Sequence, residues 1–509
     1  MYIAATPSSI LFHQKAGRNS IQKPIFTILF VKKEFIVNIA LLLAINFLVK
    51  PFYLFFVEKN IQLELNRTDF GVYLALFNLT LILQVLNDFG LQNYITRYLS
   101  QKESQDKSDL AHFFGVKILF ALLYFSATLL IAVFIFGYTV NLKLILHLSF
   151  NQILISAIAF FRACLAGSGY YRLDSRLSSL DRLLLIVFGM SFLHLPSLNQ
   201  LLTVEVFVWM QTGSLLITAL ISLAFVFKKL DIQGTLLFRQ TEVREIIYAC
   251  WPFALLFLFN AMYAKQDMIL LSKFSSDGAK TADLYAFAMR IFDASSMLSL
   301  AFGSLCLGMF SRLQSKQDQL QKLFWFSYKL LMFLSLSMII FIAFYSPEIN
   351  HIINKQDHEV LNQSLSVLCI AFVFAAPTYL YGALFQAELR EKQLVMIYLV
   401  CAVFNLIANL IFIPSYGMLA SAIINLMTQM ICLGLQILFS GKQYFSSAFG
   451  LRLILLFSVL SFSAYGLHRY CSSFILSLLI WSILIAVLGI LLKWISFQEV
   501  KEIFSEKLY

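Results

Sequence analysis

The chain has 509 residues, of which 60% are apolar and only 13% are charged, and its mean hydropathy is +0.80. These values exclude an ordinary water-soluble globular domain and predict a protein of the lipid bilayer. The formal net charge of +11 would suit a nucleic-acid binder. However, the lysines and arginines are concentrated in the connections on one side of the membrane, as membrane topology requires, so no nucleic-acid partner is expected.

Apolar runs of about 20 residues, the length that crosses a bilayer as a helix, follow one another almost from end to end. Polar and apolar residues do not alternate in them, so they predict helices and not barrel strands. The fourteen predicted spans are 35–57, 71–93, 113–137, 144–165, 178–196, 206–227, 246–272, 283–308, 324–345, 362–386, 393–413, 416–439, 451–468 and 473–495.

Two segments of the first half of the chain show weak sequence similarity to segments of the second half. Residues 69–97 resemble residues 282–312, and residues 160–176 resemble residues 381–393. The offsets of about 210 to 225 residues would pair the first six spans with the next six and leave two over. Chance similarity between apolar segments is the alternative explanation.

We therefore predict an all-α polytopic membrane protein with about 14 transmembrane helices, built from two six-helix bundles related by pseudo-two-fold symmetry plus two C-terminal helices. The expected segments are a cytoplasmic arm, the N-terminal bundle, a cytoplasmic linker, the C-terminal bundle, the two additional helices and a cytoplasmic tail, at 1–34, 35–228, 229–245, 246–440, 441–496 and 497–509.

Lysine and arginine are distributed unequally between alternate connections. If the N-terminus is inside, 26 of them lie in cytoplasmic segments and seven in outer ones. Positively charged residues remain on the cytoplasmic side, so the pattern predicts a multi-pass protein of a cell's inner membrane with both termini in the cytoplasm.

The sequence contains no pattern that predicts catalysis. The seven cysteines are scattered without a CxxC motif or a neighbouring histidine, so no metal, disulfide framework or cofactor is expected. Walker, GxSxG and HExxH motifs are absent. The longest outer connection, 346–361, is too short for the catalytic domain of a membrane polymerase or glycosyltransferase, so we expect a protein that is not an enzyme.

Ionisable groups inside a span cost a few kcal/mol unless they line a cavity or form pairs, and five stand out in the outer half of the first, seventh and eighth predicted spans. They are candidate cavity residues: Lys50, Lys265, Asp267, Arg290 and Asp293. Three cations against two acids predict a cationic cavity. Arg290 and Asp293 share a helix face, whereas Lys265 and Asp267 lie about 200° apart, so Lys265 needs a further partner, which a pyrophosphate could provide. Structural ion pairs and snorkelling side chains are the alternative.

A second set of charged residues lies at the predicted cytoplasmic mouth. Arg97, Arg162 and Arg312 are candidates for first contact with a lipid headgroup, together with Asp88, Arg172, Arg176 and Glu388. Positive-inside topology also explains most of these arginines. Amide and aromatic groups within spans could bind sugar hydroxyls or join helices: Asn46, Asn260, Asn405, Asn409, Asn425, Tyr379 and Tyr381.

Four segments, in this order and spacing, carry a resemblance that covers nearly the whole chain. They are DFGVY at 69–73 leading to NDFGL at 87–91 and Arg97, FRACLAGSGY at 161–170 with Asp181 and Arg182, WPF at 251–253 with QDMILL at 266–271, and YG at 416–417 with ASA at 420–422. The chain resembles the Wzx-type polysaccharide flippases of the multidrug/oligosaccharidyl-lipid/polysaccharide exporter superfamily. That family often has arginine where Lys265 or Gln266 falls.

The resemblance implies a flippase that moves undecaprenyl-pyrophosphate-linked oligosaccharide, the repeat unit of an O-antigen, capsule or similar glycan, to the outer leaflet. It implies rocking of two bundles, with membrane lipid, a glycan polymerase and chain-length proteins as further partners. The alternatives are an ion-coupled multidrug or small-molecule exporter and a lipid II flippase of the same superfamily. If an ion is coupled, Asp267 and Asp293 are the titratable candidates.

Overall fold

The computed structural model describes residues 49–101, 109–230, 240–314, 316–354, 358–441, 444, 447–471, 473–491 and 494. Within them the regular secondary structure is entirely helical, and eleven helices are long and apolar enough to cross a membrane. The predicted all-α polytopic fold is confirmed.

The helices are numbered in chain order, with α1 comprising the π-helical Tyr53–Glu58 and its continuation Lys59–Glu64. The others are α2 Arg67–Leu83, α3 Leu91–Gln101, α4 Asp109–Leu130, α5 Leu142–Gly167, α6 Tyr171–Leu177, α7 Leu180–His194, α8 Val204–Lys229, α9 Gln240–Phe274, α10 Ala279–Arg312, α11 Gln317–Phe344, α12 Ser346–Asn354, α13 Glu359–Ala387, α14 Glu391–Ser440, α15 Ser447–Tyr470 and α16 Phe474–Leu491.

Each predicted span from 71–93 onward has a helical counterpart, whereas most of the span 35–57 lies outside the described residues. Spans 393–413 and 416–439 form the single long helix α14. Pro414 and Gly417 interrupt it, because proline cannot donate a backbone hydrogen bond and Gly417 has φ 54° and ψ −132°. The predicted boundary between the two spans therefore coincides with a kink.

The span predicted at 71–93 ends earlier than expected. A short turn of helix, Val85–Asp88, follows α2, and then Phe89 (φ 46°) and Gly90 (φ 82°) take left-handed conformations. Since a left-handed residue cannot continue a right-handed helix, the span stops at Asp88 and α3 runs separately. At its other end α2 is capped by Asn66, whose side-chain oxygen accepts a 2.8 Å hydrogen bond from the backbone N–H of Thr68.

The helices form two bundles. In the first, α5 packs against α3 and α8, and α7 packs against α8. In the second, α13 packs against α10 and α14, and α14 packs against α9. Helices α15 and α16 lie on the outside of the second bundle against α11, where the Trp481 indole N–H donates to the carbonyl of Ser337. The division into 35–228, 246–440 and 441–496 stays a prediction.

Helix α2 joins the bundles because it packs against both α9 and α10. Near the start of α2 the contact is very close, since a Cβ atom added to Gly71 would lie 1.8 Å from the carbonyl oxygen of Ala279. Only glycine permits that approach. We call this end of the molecule, marked by Gly71 and Ala279, the packed end. Further along, cavities lie between the bundles, and α9 meets the first bundle again where Cys250 contacts Gly90.

Candidate functional site

A cavity of about 480 Å³ lies between the bundles, and we call it the charged chamber. All five intramembrane candidates from the sequence line it, although they come from α9, α10 and the helical residues just before α1. Its ionisable lining residues are Lys50, Glu58, Asp181, Arg182, Lys265, Asp267, Arg290 and Asp293. The structure thus brings the predicted residues together and adds three to them.

Lys265 has a partner within the protein. Its Nζ lies 2.7 Å from Asp293 Oδ2 and donates to Oδ1 at 2.9 Å, and the two side chains are 27% and 39% exposed. Asp293 thus provides the further partner that the sequence predicted for Lys265, and the contact is the structural ion pair stated as the alternative to a pyrophosphate. Angular positions on one helix reveal nothing about the neighbouring helix, and here α10 presents Asp293 to the lysine on α9.

Arg290 connects the two bundles instead of pairing with Asp293 on its own helix. Its Nη2 donates to Gln62 Oε1 at 2.7 Å and lies 3.5 Å from Glu58 Oε1. The Gln62 amide in turn donates to Asp283 Oδ1 at 2.8 Å. Arg290 is buried, and its Nη1 has no hydrogen-bond partner within the part of the chain that the structure describes. One donor of the guanidinium therefore remains unused.

Asp267 is fully buried and bonded to neutral groups. Asn409 Nδ2 donates to its Oδ1 at 3.0 Å, and the Tyr285 hydroxyl donates to its Oδ2 at 3.4 Å. The amides of Asn409 and Gln266 both also donate to Asn405 Oδ1, at 2.9 and 2.6 Å. Asn405 and Asn409 therefore join helices, which is the alternative stated for them above.

Three ionisable residues of the chamber were missed by sequence reasoning: Glu58, Asp181 and Arg182. Arg182 lies with its guanidinium carbon 5.1 Å from the centre of the Tyr53 ring and its Nε 3.5 Å from Asp181 Oδ2. Its position at the start of a predicted span assigned it to a cytoplasmic loop. The adjacent opposite charges of Asp181 and Arg182 were the available signal.

The complete lining corrects the predicted sign of the cavity. The five predicted residues carry three cations and two acids, but the eight ionisable residues carry four of each. Lys50 differs from the other cations because it forms no hydrogen bond or ion pair with any residue that the structure describes. The chamber is thus balanced overall and contains one lysine free to meet an anion.

A second cavity, of about 520 Å³, adjoins the first, and Leu300 and Tyr379 line both. Along α2, α9 and α10 it occupies the stretch further from the packed end. Four side-chain amides line it, those of Gln84, Gln92, Asn260 and Gln386. We call it the amide chamber. Apart from tyrosines, Asp88 is the only ionisable residue among the described residues that line it.

Two of the three candidate mouth arginines lie outside both chambers. Arg162 donates from Nε to Asp174 Oδ1 at 2.7 Å, and Arg312 is exposed at the end of α10. Neither lines a chamber. Arg97 belongs to α3, and its side chain lies outside the described residues. Glu388 accepts a 3.2 Å hydrogen bond from the Tyr444 hydroxyl and pairs with Arg390.

A family model described as a polysaccharide biosynthesis protein matches residues 35–314, which is more than half of the chain. The chain belongs to this family. The match confirms the resemblance that the sequence segments predicted.

Other proteins are similar to this chain over most of their length. The uncharacterized membrane protein MJ1068 of Methanocaldococcus jannaschii is 22% identical over 476 residues, covering 87% of this chain and 92% of that protein. The lipid II flippase MurJ in an inward closed conformation superposes with a TM-score of 0.66 at 12% identity, covering 89% of this chain and 98% of MurJ. An inward-facing MATE family multidrug resistance transporter of the MOP superfamily superposes with a TM-score of 0.58 at 15% identity, covering 81% of this chain and 94% of that transporter. At these identities the likeness to the two structures concerns the fold.

Proposed function

We propose that the protein is a flippase that moves an undecaprenyl-pyrophosphate-linked oligosaccharide from the cytoplasmic to the outer leaflet of the bacterial inner membrane. The observation that carries the proposal is the charged chamber between the two bundles, in which Lys50 has no partner among the described residues. Membership of the polysaccharide biosynthesis family supports a substrate that carries sugars.

A pyrophosphate suits the cations of the chamber. Lys50 offers an ammonium group without a partner in the described part of the protein, and the buried guanidinium of Arg290 adds positive charge to the same lining. Hydrogen bonds between charged donors and phosphate oxygens are short and strong, especially where water is excluded. The paired cation Lys265 contributes positive potential but needs no ligand to compensate it.

The arrangement of the bundles supports alternating access. They touch at the packed end, the two chambers lie between them, and they meet again where Cys250 of α9 contacts Gly90. The Lys and Arg distribution supports an outer position for the packed end, so the amide chamber would lie toward the cytoplasmic side. Rocking of one bundle against the other would then open the opposite side while the polyprenyl tail remains in lipid. A glycan polymerase and chain-length proteins would act on the product.

The test measures flipping of a fluorescent undecaprenyl-pyrophosphate-linked sugar in vesicles that contain the purified protein, with a membrane-impermeant quencher added outside. Lys50→Ala removes the unpaired cation, and we expect the flipping rate to fall about 10- to 100-fold, the cost of a charge-assisted hydrogen bond. Lys143→Ala is the matched control, because Lys143 is exposed, pairs with Glu205 at 2.6 Å and does not line the charged chamber.

Unchanged flipping by Lys50→Ala would remove the chamber from the mechanism. Absence of flipping by the wild type would reject the function itself. The same vesicles distinguish the two rival functions, since an exporter would transport organic cations and not the lipid, and a lipid II flippase would accept lipid II in preference to other lipid-linked sugars.

A further inference from the structure

The side chains of the amide chamber suit a ligand that is polar but uncharged. Amides both donate and accept hydrogen bonds, as sugar hydroxyls do. The chamber has no cation among its described lining residues, and Asp88 would repel a phosphate. Its volume of about 520 Å³ is within the range of small-molecule sites.

Helix α9 presents one continuous stripe to this chamber. Phe253, Phe257 and Asn260 are spaced at i, i+4 and i+7, so they share a helix face. The two phenylalanines are 39% and 46% exposed, and Asn260 is exposed as well. Aromatic rings beside amides suit a sugar ring. The aromatic rings pack against its apolar C–H groups, and the amides form hydrogen bonds with its hydroxyl groups.

Asn260 is not required for helix packing. Among the intramembrane groups that the sequence singled out, Asn405 and Asn409 bond to neighbouring helices, and the Tyr381 hydroxyl donates to the carbonyl of Tyr444 at 2.8 Å. Asn260, by contrast, forms no side-chain hydrogen bond with any described residue. An amide that faces a cavity without a partner is available to a ligand.

We propose that the amide chamber binds the neutral sugar rings of the substrate, which stack on Phe253 and Phe257 and bond to Asn260, while the pyrophosphate lies in the charged chamber. This inference rests on the proposed function. The two cavities adjoin at Leu300 and Tyr379, so one headgroup can extend through both. Substrate recognition is thereby divided: the charged chamber binds the charged pyrophosphate, and the amide chamber binds the hydroxyl groups of the sugar.

The test compares two lipids that differ only in the sugar: undecaprenyl pyrophosphate and undecaprenyl pyrophosphate N-acetylglucosamine. Equilibrium binding of each radiolabelled lipid to the full-length protein in lipid nanodiscs is measured. We expect the wild type to bind the sugar-bearing lipid more tightly. Asn260→Ala and Phe257→Leu should weaken binding of that lipid about 5- to 20-fold and leave the bare lipid unchanged, because they remove only sugar contacts.

Two controls separate the possible outcomes. Tyr248→Ala, an exposed aromatic residue on the same helix outside both chambers, should change neither affinity, and Lys50→Ala should weaken both. The inference is overturned if the wild type binds both lipids equally, or if Asn260→Ala and Phe257→Leu lower both affinities alike or neither. Failure of the wild type to bind either lipid overturns the proposed function instead.

Discussion

Lys265 and Asp293 illustrate how a charge is accommodated inside a span. The lysine reaches both carboxylate oxygens, at 2.7 and 2.9 Å, across two neighbouring helices. Both side chains keep about a third of their surface accessible, so solvent in the chamber weakens the pair. We conclude that this contact stabilises the interface between α9 and α10 and that Lys265 is not the main anion ligand.

Neutralising one partner of the Lys265–Asp293 pair should lower the stability of the protein more than neutralising both. Asp293→Asn leaves Lys265 unpaired, and we expect the thermal midpoint of the purified protein to fall, corresponding to about 1 kcal/mol. The double variant Lys265→Gln/Asp293→Asn should recover most of the loss. Glu205→Gln, which breaks the exposed pair with Lys143, should leave the midpoint unchanged. A double variant no more stable than Asp293→Asn would argue against the pairing.

Sequence reasoning found the right residues of the charged chamber but not their partners. The cost of a charge in lipid identified Lys50, Lys265, Asp267, Arg290 and Asp293, because that argument needs only the position of each residue within a span. The pairs need distances between helices far apart in the chain, such as that between Gln62 and Arg290. Hydropathy and helical periodicity contain no such distances.

At the scale of helices, local chemistry decided which boundaries were predictable. The break near Pro414 and Gly417 was expected, because both residues are poor helix formers in a long apolar segment. The end of the span at Asp88 was not, because apolar residues continue through Phe89 and Leu91. Hydropathy extends a span through such residues even where a left-handed turn has stopped the helix.

Near the packed end, a hydrogen bond from Gln62 on α1 to Asp283 on α10 also connects the two bundles. Replacing both by cysteine, in a chain whose native cysteines have been removed, allows a short reducible thiol cross-linker to join the bundles there. We expect cross-linking to stop flipping in the vesicle assay and reduction to restore it, because the outer opening requires these helices to separate.

The matched control for this experiment lies within one bundle. Lys143 on α5 and Glu205 on α8 pair at 2.6 Å, so cysteines at these positions can be joined without linking the bundles. Cross-linking them should leave flipping unchanged. Flipping that continues with Gln62→Cys/Asp283→Cys fully cross-linked would show that the packed end does not open during transport.

At the scale of the whole molecule, the fold class and the family were predictable, but the cavities were not. Composition and apolar runs predicted a polytopic helical protein, and the four sequence segments predicted the family, because both depend on the order of residues along the chain. The division into a charged and an amide chamber was not predictable. It arises where α2, α9 and α10 diverge from the packed end, so that successive stretches of the same three helices line different cavities.

The equal numbers of cations and acids in the charged chamber have an electrical consequence. Counted by formal charge, the empty lining is neutral, so an empty carrier that changes conformation moves little net charge through the membrane's electric field. A loaded carrier also moves the pyrophosphate, with about two negative charges, and each elementary charge is worth about 2.3 kcal/mol per 100 mV. The membrane voltage should therefore act on the loaded step alone.

In reconstituted vesicles, a potassium diffusion potential imposed with valinomycin can test this. We expect an inside-negative voltage to accelerate outward flipping and the opposite voltage to slow it, whereas a rate independent of voltage would contradict the expectation. A carrier of this kind returns empty at no electrical cost and loads into a step that the resting membrane potential already favours. The acids that balance the chamber would thus let the cell's own voltage drive export of an anionic lipid.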